Sequence, residues 1–254
     1  PSTIPAWMVV IGGVTAVVIA KGLFGGLGSN VFNPALTGRG VLVMSFASVV
    51  SASWFNPASE ANKWSFAESS LNNVDAITSA TTLSHIKAGN FLADSSTYLQ
   101  YLLGNRAGCI GETSILLILI SFVFLLVTHV IDWRAPVTMV LTVAVCTFIS
   151  SLIGTQSAIA ALSSTIMALL TGGLLFGATF MVTDYATTPV TKPGRLLFGF
   201  GCGLITFLIR RFGGYPEGVM FSILIMNAVA PFLNKVTSRK YGYGKKAQRM
   251  GGAK

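Results

Sequence analysis

Charge is scarce in this 254-residue chain: 10% of its residues are Asp, Glu, Lys or Arg, while 52% are hydrophobic. A soluble domain of that size would need many more charges on its surface, so the composition argues for a membrane protein. Histidine and cysteine are scarcer still. His85 and His129 stand apart, and Cys109, Cys146 and Cys202 are widely separated with no CxxC pair. That pattern supports neither a zinc site nor a disulfide framework and leaves the cysteines as small apolar side chains. No GxGxxG follows a strand pattern, so the chain offers no nicotinamide-binding loop. The 17 basic residues outnumber the 8 acids and gather beside apolar runs and in the tail Lys235 to Lys254. This is a positive-inside distribution and not a nucleic-acid surface. The start has neither a signal-peptide pattern nor an initiator Met, so it reads as incomplete or processed.

Long apolar runs are what the sequence does have. A spanning helix needs about 20 apolar residues, and candidates run Pro5 to Phe24, Asn33 to Trp54, Ser114 to Ile131, Ala135 to Ile153, Ala158 to Val182, Arg195 to Ile209 and Gly218 to Leu233. The expected fold is therefore an all-α membrane protein of about seven transmembrane helices. Its expected parts are a first helix pair at 1–54, an extracytoplasmic loop at 55–113, a five-helix region at 114–234 and a basic cytoplasmic tail at 235–254. Lys21 with Arg39, Arg134, Lys192 with Arg195, and the tail fall on one side if the spans alternate, which makes that side cytoplasmic. Arg210 and Arg211 fall on the other side, against the rule.

Two connections are rich in helix breakers: Gly25 to Pro34 and Thr183 to Pro189, each followed by a Gly-Arg pair, Gly38-Arg39 and Gly194-Arg195. The parallel suggests a weak internal duplication in which broken helices meet at a binding site. Non-helical backbone survives at membrane depth only where protein or a cavity satisfies it. Ordinary cytoplasmic turns are the alternative.

The long loop contains Val74-Asp75-Ala76-Ile77-Thr78-Ser79-Ala80-Thr81-Thr82, small residues and hydroxyls behind one acid. A threonine modified through its oxygen must be accessible and flanked by small side chains, and Ser79 and Ala80 meet that need. By composition alone, such a cluster is a polar turn or a helix cap. Asp132, Asp184, Glu112 and Glu217 are the acids near span ends and hence candidates for an ion path, with a headgroup-level loop acid as the plain alternative. His129 reads as structural and not as a relay.

Asp75-x-x-Thr78-Ser79-Ala80-Thr81 resembles the signature at which a flavin transferase esterifies FMN onto the last threonine. Phe24 to Arg39, Ile209 to Val219 and Gly111-Glu112-Thr113-Ser114 resemble further segments of the same membrane families. These are the D subunit of the Rnf ion-translocating complex and the B subunit of the sodium-translocating NADH:quinone oxidoreductase, and the short loop and the basic tail favour the former. The resemblance implies that Thr81 carries FMN through a phosphoester, that Thr78, Ser79 and Thr82 line the attachment, and that Asp75 and Ala80 are read by the transferase. It implies that Asn30 and Asn33 border a second, noncovalent flavin, riboflavin or FMN, and that Thr113 and Ser114 open a helix near the outer one. It implies a redox translocase moving sodium ions or protons in a prokaryotic inner membrane. Iron-sulfur and flavin subunits and the lipid bilayer are the implied partners, with no nucleic acid. A flavin-free secondary transporter is the expectation of a different class.

Overall fold

The computed structural model describes residues 4–26, 28–52, 95–104, 108–155, 157–214 and 217–238, and these are helical with no strand among them. The helices are α1 (Ala6–Gly22), α2 (Pro34–Ser45), α3 (Ala47–Ala52), α4 (Ser95–Leu103), α5 (Ile115–Val127), α6 (Arg134–Thr155), α7 (Ala158–Leu170), α8 (Leu174–Met181), α9 (Lys192–Phe212) and α10 (Val219–Thr237). Three of them, α6, α9 and α10, are individually long and apolar enough to cross a membrane, and α7 with α8 makes a fourth span if the pair is counted as one.

The seven expected spans are thus only partly realised as continuous helices, for local reasons. Asn33 to Trp54 is interrupted at Phe46, whose backbone leaves the helical region at φ −133°, so α2 and α3 are separate. Ala158 to Val182 is bent by 59° between Leu170 and Leu174. The α5 run stops at Val127 because Thr128 and His129 form a Schellman-like end: the His129 N–H donates to Leu126 O and the Val130 N–H to Leu125 O, both 3.0 Å. His129 itself takes the left-handed conformation, φ 56°. In the other direction, α9 is longer than its apolar run. Thr191 caps it through its hydroxyl, Pro193 sits in the first turn, and Arg210 and Arg211 remain helical.

Large apolar side chains point outward along α1 (Trp7, Val10, Val17) and α5 (Leu117, Phe124, Val127). A water-soluble bundle would hide such side chains, and a lipid-facing helix presents them. The core is built from Leu36, Met139, Leu174, Phe198 and Ile223, all fully buried. Helix pairs approach closely where glycine removes a side chain. Gly199 and Gly203, four apart on α9, lie so close to α6 that a β-carbon would run into the Ala135 and Met139 carbonyl oxygens; Gly38 meets the Gly12 carbonyl in the same way. This is small-xxx-small packing.

The packing gives a test. Gly199→Val and Gly203→Val must displace backbone and are expected to destabilise the protein by about 1–3 kcal/mol. Gly154→Ala, with open space around it, is expected to change stability by no more than about 0.5 kcal/mol in the unfavourable direction. Thermal unfolding in detergent reads the three side by side, and equal melting temperatures would refute the close α6–α9 approach.

Candidate functional site

Thr78, Ser79, Ala80, Thr81, Thr82 and Asp75 lie outside the described residues. Asn30 and Asn33 lie within them and are both buried. Asn30 stays local, its amide donating to Phe32 O at 3.1 Å. Asn33 is a junction. Its Oδ1 accepts from the Ala35 and Leu36 N–H groups (3.1 and 3.3 Å) and caps α2, with Pro34 in the first turn. Its Nδ2 donates to Met181 O at 3.4 Å. Its backbone N–H donates at 3.0 Å to Oδ1 of the fully buried Asn227, in the amide orientation that also lets Asn227 Nδ2 reach Ile223 O at 3.2 Å. One asparagine therefore joins α2, the end of α8 and the middle of α10.

The two interrupted segments have the parallel anatomy that their sequences suggest. Each follows a π-helical stretch, Thr15–Gly22 and Gly177–Met181. Each then leads to a side-chain cap, Asn33 or Thr191, a proline in the first turn, and a Gly-Arg pair. π-Helical turns mark local departures from the regular ladder and recur at functional sites.

A third interruption, at Thr171-Gly172-Gly173 between α7 and α8, is not anticipated by the hydropathy pattern. Gly172 is left-handed, φ 68°. The broken ends are satisfied by two neighbouring groups, Arg210 in the last turn of α9 and Glu217 in the connection that follows it. Arg210 donates to the Ala168 and Thr171 carbonyls at 2.7 and 3.3 Å, which closes the end of α7 as a cation should. Glu217 accepts from the Gly173 N–H, which closes the start of α8 as an anion should. Glu112, itself buried, brings a second carboxylate to the same glycine: a β-carbon on Gly173 would lie 2.6 Å from Glu217 Oε1 and 2.9 Å from Glu112 Oε2. The signals available in the sequence are the Gly-Gly pair inside an apolar run and an arginine on the wrong side of the charge rule.

Arg39 completes the cluster. Its Nη2 donates to Glu217 Oε2 at 3.3 Å and to Cys109 Sγ at 3.8 Å. It sits five residues into α2 and reaches the group that caps the break. Beside it opens a cavity of about 460 Å³, walled by Gly12, Gly13, Ala16, Ala35 and Gly38, with Arg39 and Glu112 as its charged residues. Small-molecule pockets typically measure ~300–1,000 Å³.

The remaining acids near span ends are tied into structure. Asp132 binds Arg134 and Arg195, both at 2.6 Å, which places those two arginines at one end of the bundle as their shared side requires. Burial raises the Asp132 pKa, but hydrogen bonds from the Arg134 N–H and from the Arg195 and Arg134 guanidinium groups outweigh it and hold the carboxyl below its ordinary value. Asp184 organises its own turn, accepting from the Ala186 N–H at 3.3 Å and the Thr187 hydroxyl at 3.1 Å. Ser114 caps α5, with Leu117 N–H 3.5 Å from its oxygen.

Comparison with known proteins gives one consistent answer. Residues 1–242 match the model of the NQR2, RnfD, RnfE family. The chain is 37% identical over 247 residues, 96% of its length and 70% of the relative's, to the D subunit of the Na(+)-translocating ferredoxin:NAD(+) oxidoreductase complex of Acetobacterium woodii. It is 39% identical over 244 residues, 93% of its length and 69% of the relative's, to the D subunit of the proton-translocating ferredoxin:NAD(+) oxidoreductase complex of Clostridium ljungdahlii. It is 35% identical over 266 aligned residues, 98% of its length and 73% of the relative's, to the D subunit of the ion-translocating oxidoreductase complex of Stutzerimonas stutzeri.

Two outcomes follow from the charged clusters. Arg210→Met strips the donors from the α7 carbonyls and leaves the buried Glu112 and part-buried Glu217 carboxylates less compensated, an expected loss of about 2–4 kcal/mol. Arg211→Met, at an exposed neighbour, is expected to stay within about 0.5 kcal/mol; similar melting temperatures for the two would contradict the capping role. Asp132 has a depressed folded pKa, so its contribution is complete above the ordinary Asp value and is lost as pH falls through the folded one. Below about pH 4 the wild type should lose melting temperature faster than Asp132→Asn, whose curve lacks that step. Parallel curves would refute the assignment.

Proposed function

The chain belongs to the NQR2, RnfD, RnfE family, and from that premise we propose that it is the membrane D-type subunit of a redox-driven, cation-translocating oxidoreductase, with FMN esterified to Thr81. What supports this reading in the structure is the cavity of about 460 Å³, where small residues such as Gly13 and Ala35 stand among bulky apolar ones such as Leu42 and Phe176 and where Arg39 is the cation among the described residues, a lining that suits an apolar planar ring able to take up negative charge. Gly13 has nothing within 4 Å of the position a β-carbon would take, so on that side the wall offers backbone. A flavin supplies exchange between two-electron and one-electron carriers when bound. The chain's own contributions are a hydroxyl for attachment, small side chains that admit the ring, apolar walls that exclude water, and a guanidinium that stays charged at any working pH.

In finer detail, Asn30 and Asn33 border a second, noncovalent flavin. The reading keeps seven spans, with 55–113 outside and 235–254 inside a prokaryotic inner membrane. Iron-sulfur and flavin subunits complete the complex, and a flavin transferase loads Thr81. Relatives of nearly equal similarity are named for sodium and for protons, so the reading extends to a cation of either kind. A quinone-reducing relative would share all these features. A secondary transporter would share the broken span and cavity but needs no flavin.

The protein produced together with a flavin transferase and run on a denaturing gel is expected to fluoresce as flavin, with complete loss in Thr81→Ala. Fluorescence that survives Thr81→Ala and disappears in Thr82→Ala moves the attachment by one residue. A dark wild-type band overturns the redox reading and favours the transporter.

A further inference from the structure

We infer that Arg39 is shared between the cavity and the broken span, and that it is the residue that tunes the reduction potential of an electron-accepting ring held there; the inference rests on the flavin reading above. Four arginines make described polar contacts in and beside the helices, and three of them direct those contacts away from the cavity. Arg210 uses Nη1 and Nη2 on helix carbonyls. Arg195 uses Nε on Pro189 O and Nη1 on Asp132. Arg134 holds Asp132 at 2.6 Å and lies over the Trp133 ring at 5.3 Å. Arg39 is the one of the four that lines the cavity, and among the described residues both of its contacts leave from Nη2.

Both Arg39 contacts are also long. A charge-assisted N–H···O bond is typically ~2.7–2.9 Å, whereas Glu217 Oε2 stands at 3.3 Å and the Cys109 thiol at 3.8 Å. The guanidinium thus retains donors and lines the cavity. The other groups close by do not compete for this role. Glu112 lines the cavity with negative charge, which would oppose an anionic ring. Arg210 is occupied by the carbonyls on the far side of the break.

The electrostatic consequence is a competition for one cation. A flavin that accepts two electrons from a one-electron carrier in successive transfers and one proton from water gains one negative charge. Arg39 attracts that charge and raises the potential; Glu217 holds Arg39 away and lowers it. Because the other oxygen of Glu217 accepts from the Gly173 N–H that opens α8, drawing Arg39 into the cavity also alters the charge at the break, which gives electron arrival a direct mechanical address.

Spectroelectrochemical titration of the flavin-loaded protein, with gel fluorescence measured in parallel, tests this. Arg39→Gln is expected to keep gel fluorescence and to shift the flavin potential to lower values. Arg39→Lys, which keeps the charge, is expected to restore most of that shift. Glu217→Gln, which releases Arg39, is expected to move the potential the opposite way. An unchanged potential in both Arg39→Gln and Glu217→Gln overturns the inference, as does a fall in Glu217→Gln. If Arg39→Gln fails to fold, Arg39→Lys and Glu217→Gln decide by the same signs. Absence of fluorescence from the wild type overturns the parent reading instead, so the two failures are distinct.

Discussion

The structure turns on how a helix is broken inside an apolar bundle. Interrupting a span at Thr171-Gly172-Gly173 exposes carbonyls on one side and N–H groups on the other, each costing several kcal/mol if left without a partner in a membrane interior. Both are answered from the end of α9 and the connection that follows it: Arg210, in the last turn of α9, takes the carbonyls of Ala168 and Thr171, and Glu217 takes the N–H of Gly173. The signs of the two charges match the signs of the two helix ends. Once these charges are committed, Arg39 and Glu112 have a fixed partner set, and the cavity between α1, α2 and α8 acquires its charged residues.

A second junction, at Asn33, fixes where α2 starts relative to that break. Its contacts to Met181 O and to Asn227 link the first interrupted segment to the last turn of α8 and to α10. Asn227 also lies four residues before Pro231, whose missing N–H leaves a carbonyl of α10 without its usual donor. The helix is thus locally loosened where Asn33 reaches it. The two halves of the chain echo each other: a π-helical approach, a polar cap, a proline and an arginine that finds an acid on another element, Arg39 with Glu217 and Arg195 with Asp132. The registers differ, since Arg39 is six residues after its cap and Arg195 four after its own. The echo is one of construction and does not extend to residue-by-residue symmetry.

Much of this is legible in the sequence, and what is not has a physical reason. Apolar runs locate the helices, and the Asn-Pro and Thr-Lys-Pro signals locate the starts of α2 and α9, because caps are short-range and follow from residue type. Hydropathy cannot see the bend at Gly172-Gly173, since its partners, Arg210 and Glu217, lie some 40 residues further along the chain. For the same reason Arg210 looks like a violation of the charge rule when it is a buried cap. Arg39 gives no local sign of its partner, because Glu217 is 178 positions away. His129 takes a left-handed backbone that ends α5. The attachment motif at Thr81 is legible only as a resemblance, because nothing in the chemistry of a Ser/Thr cluster distinguishes a modified hydroxyl from a turn.

The clustered charges carry a final implication about coupling. Arg39, Arg210, Glu112 and Glu217 sum to zero, two cations and two carboxylates gathered around one glycine. A neutral, part-buried cluster is stable because each charge is opposed, yet a single added charge on its margin is felt by its members, most strongly where burial limits screening by water. Three of the four members are held against backbone: Arg210 on carbonyls, Glu217 on the Gly173 N–H and Glu112 on the Cys109 N–H at 3.1 Å. Arg39 alone is held only by side chains, and loosely. Any change of charge in the cavity is therefore relieved most cheaply by moving Arg39, and Arg39 cannot move without changing the field at the capped end of α8. A charge placed in the cavity and the geometry of the broken span are for this reason one electrostatic system.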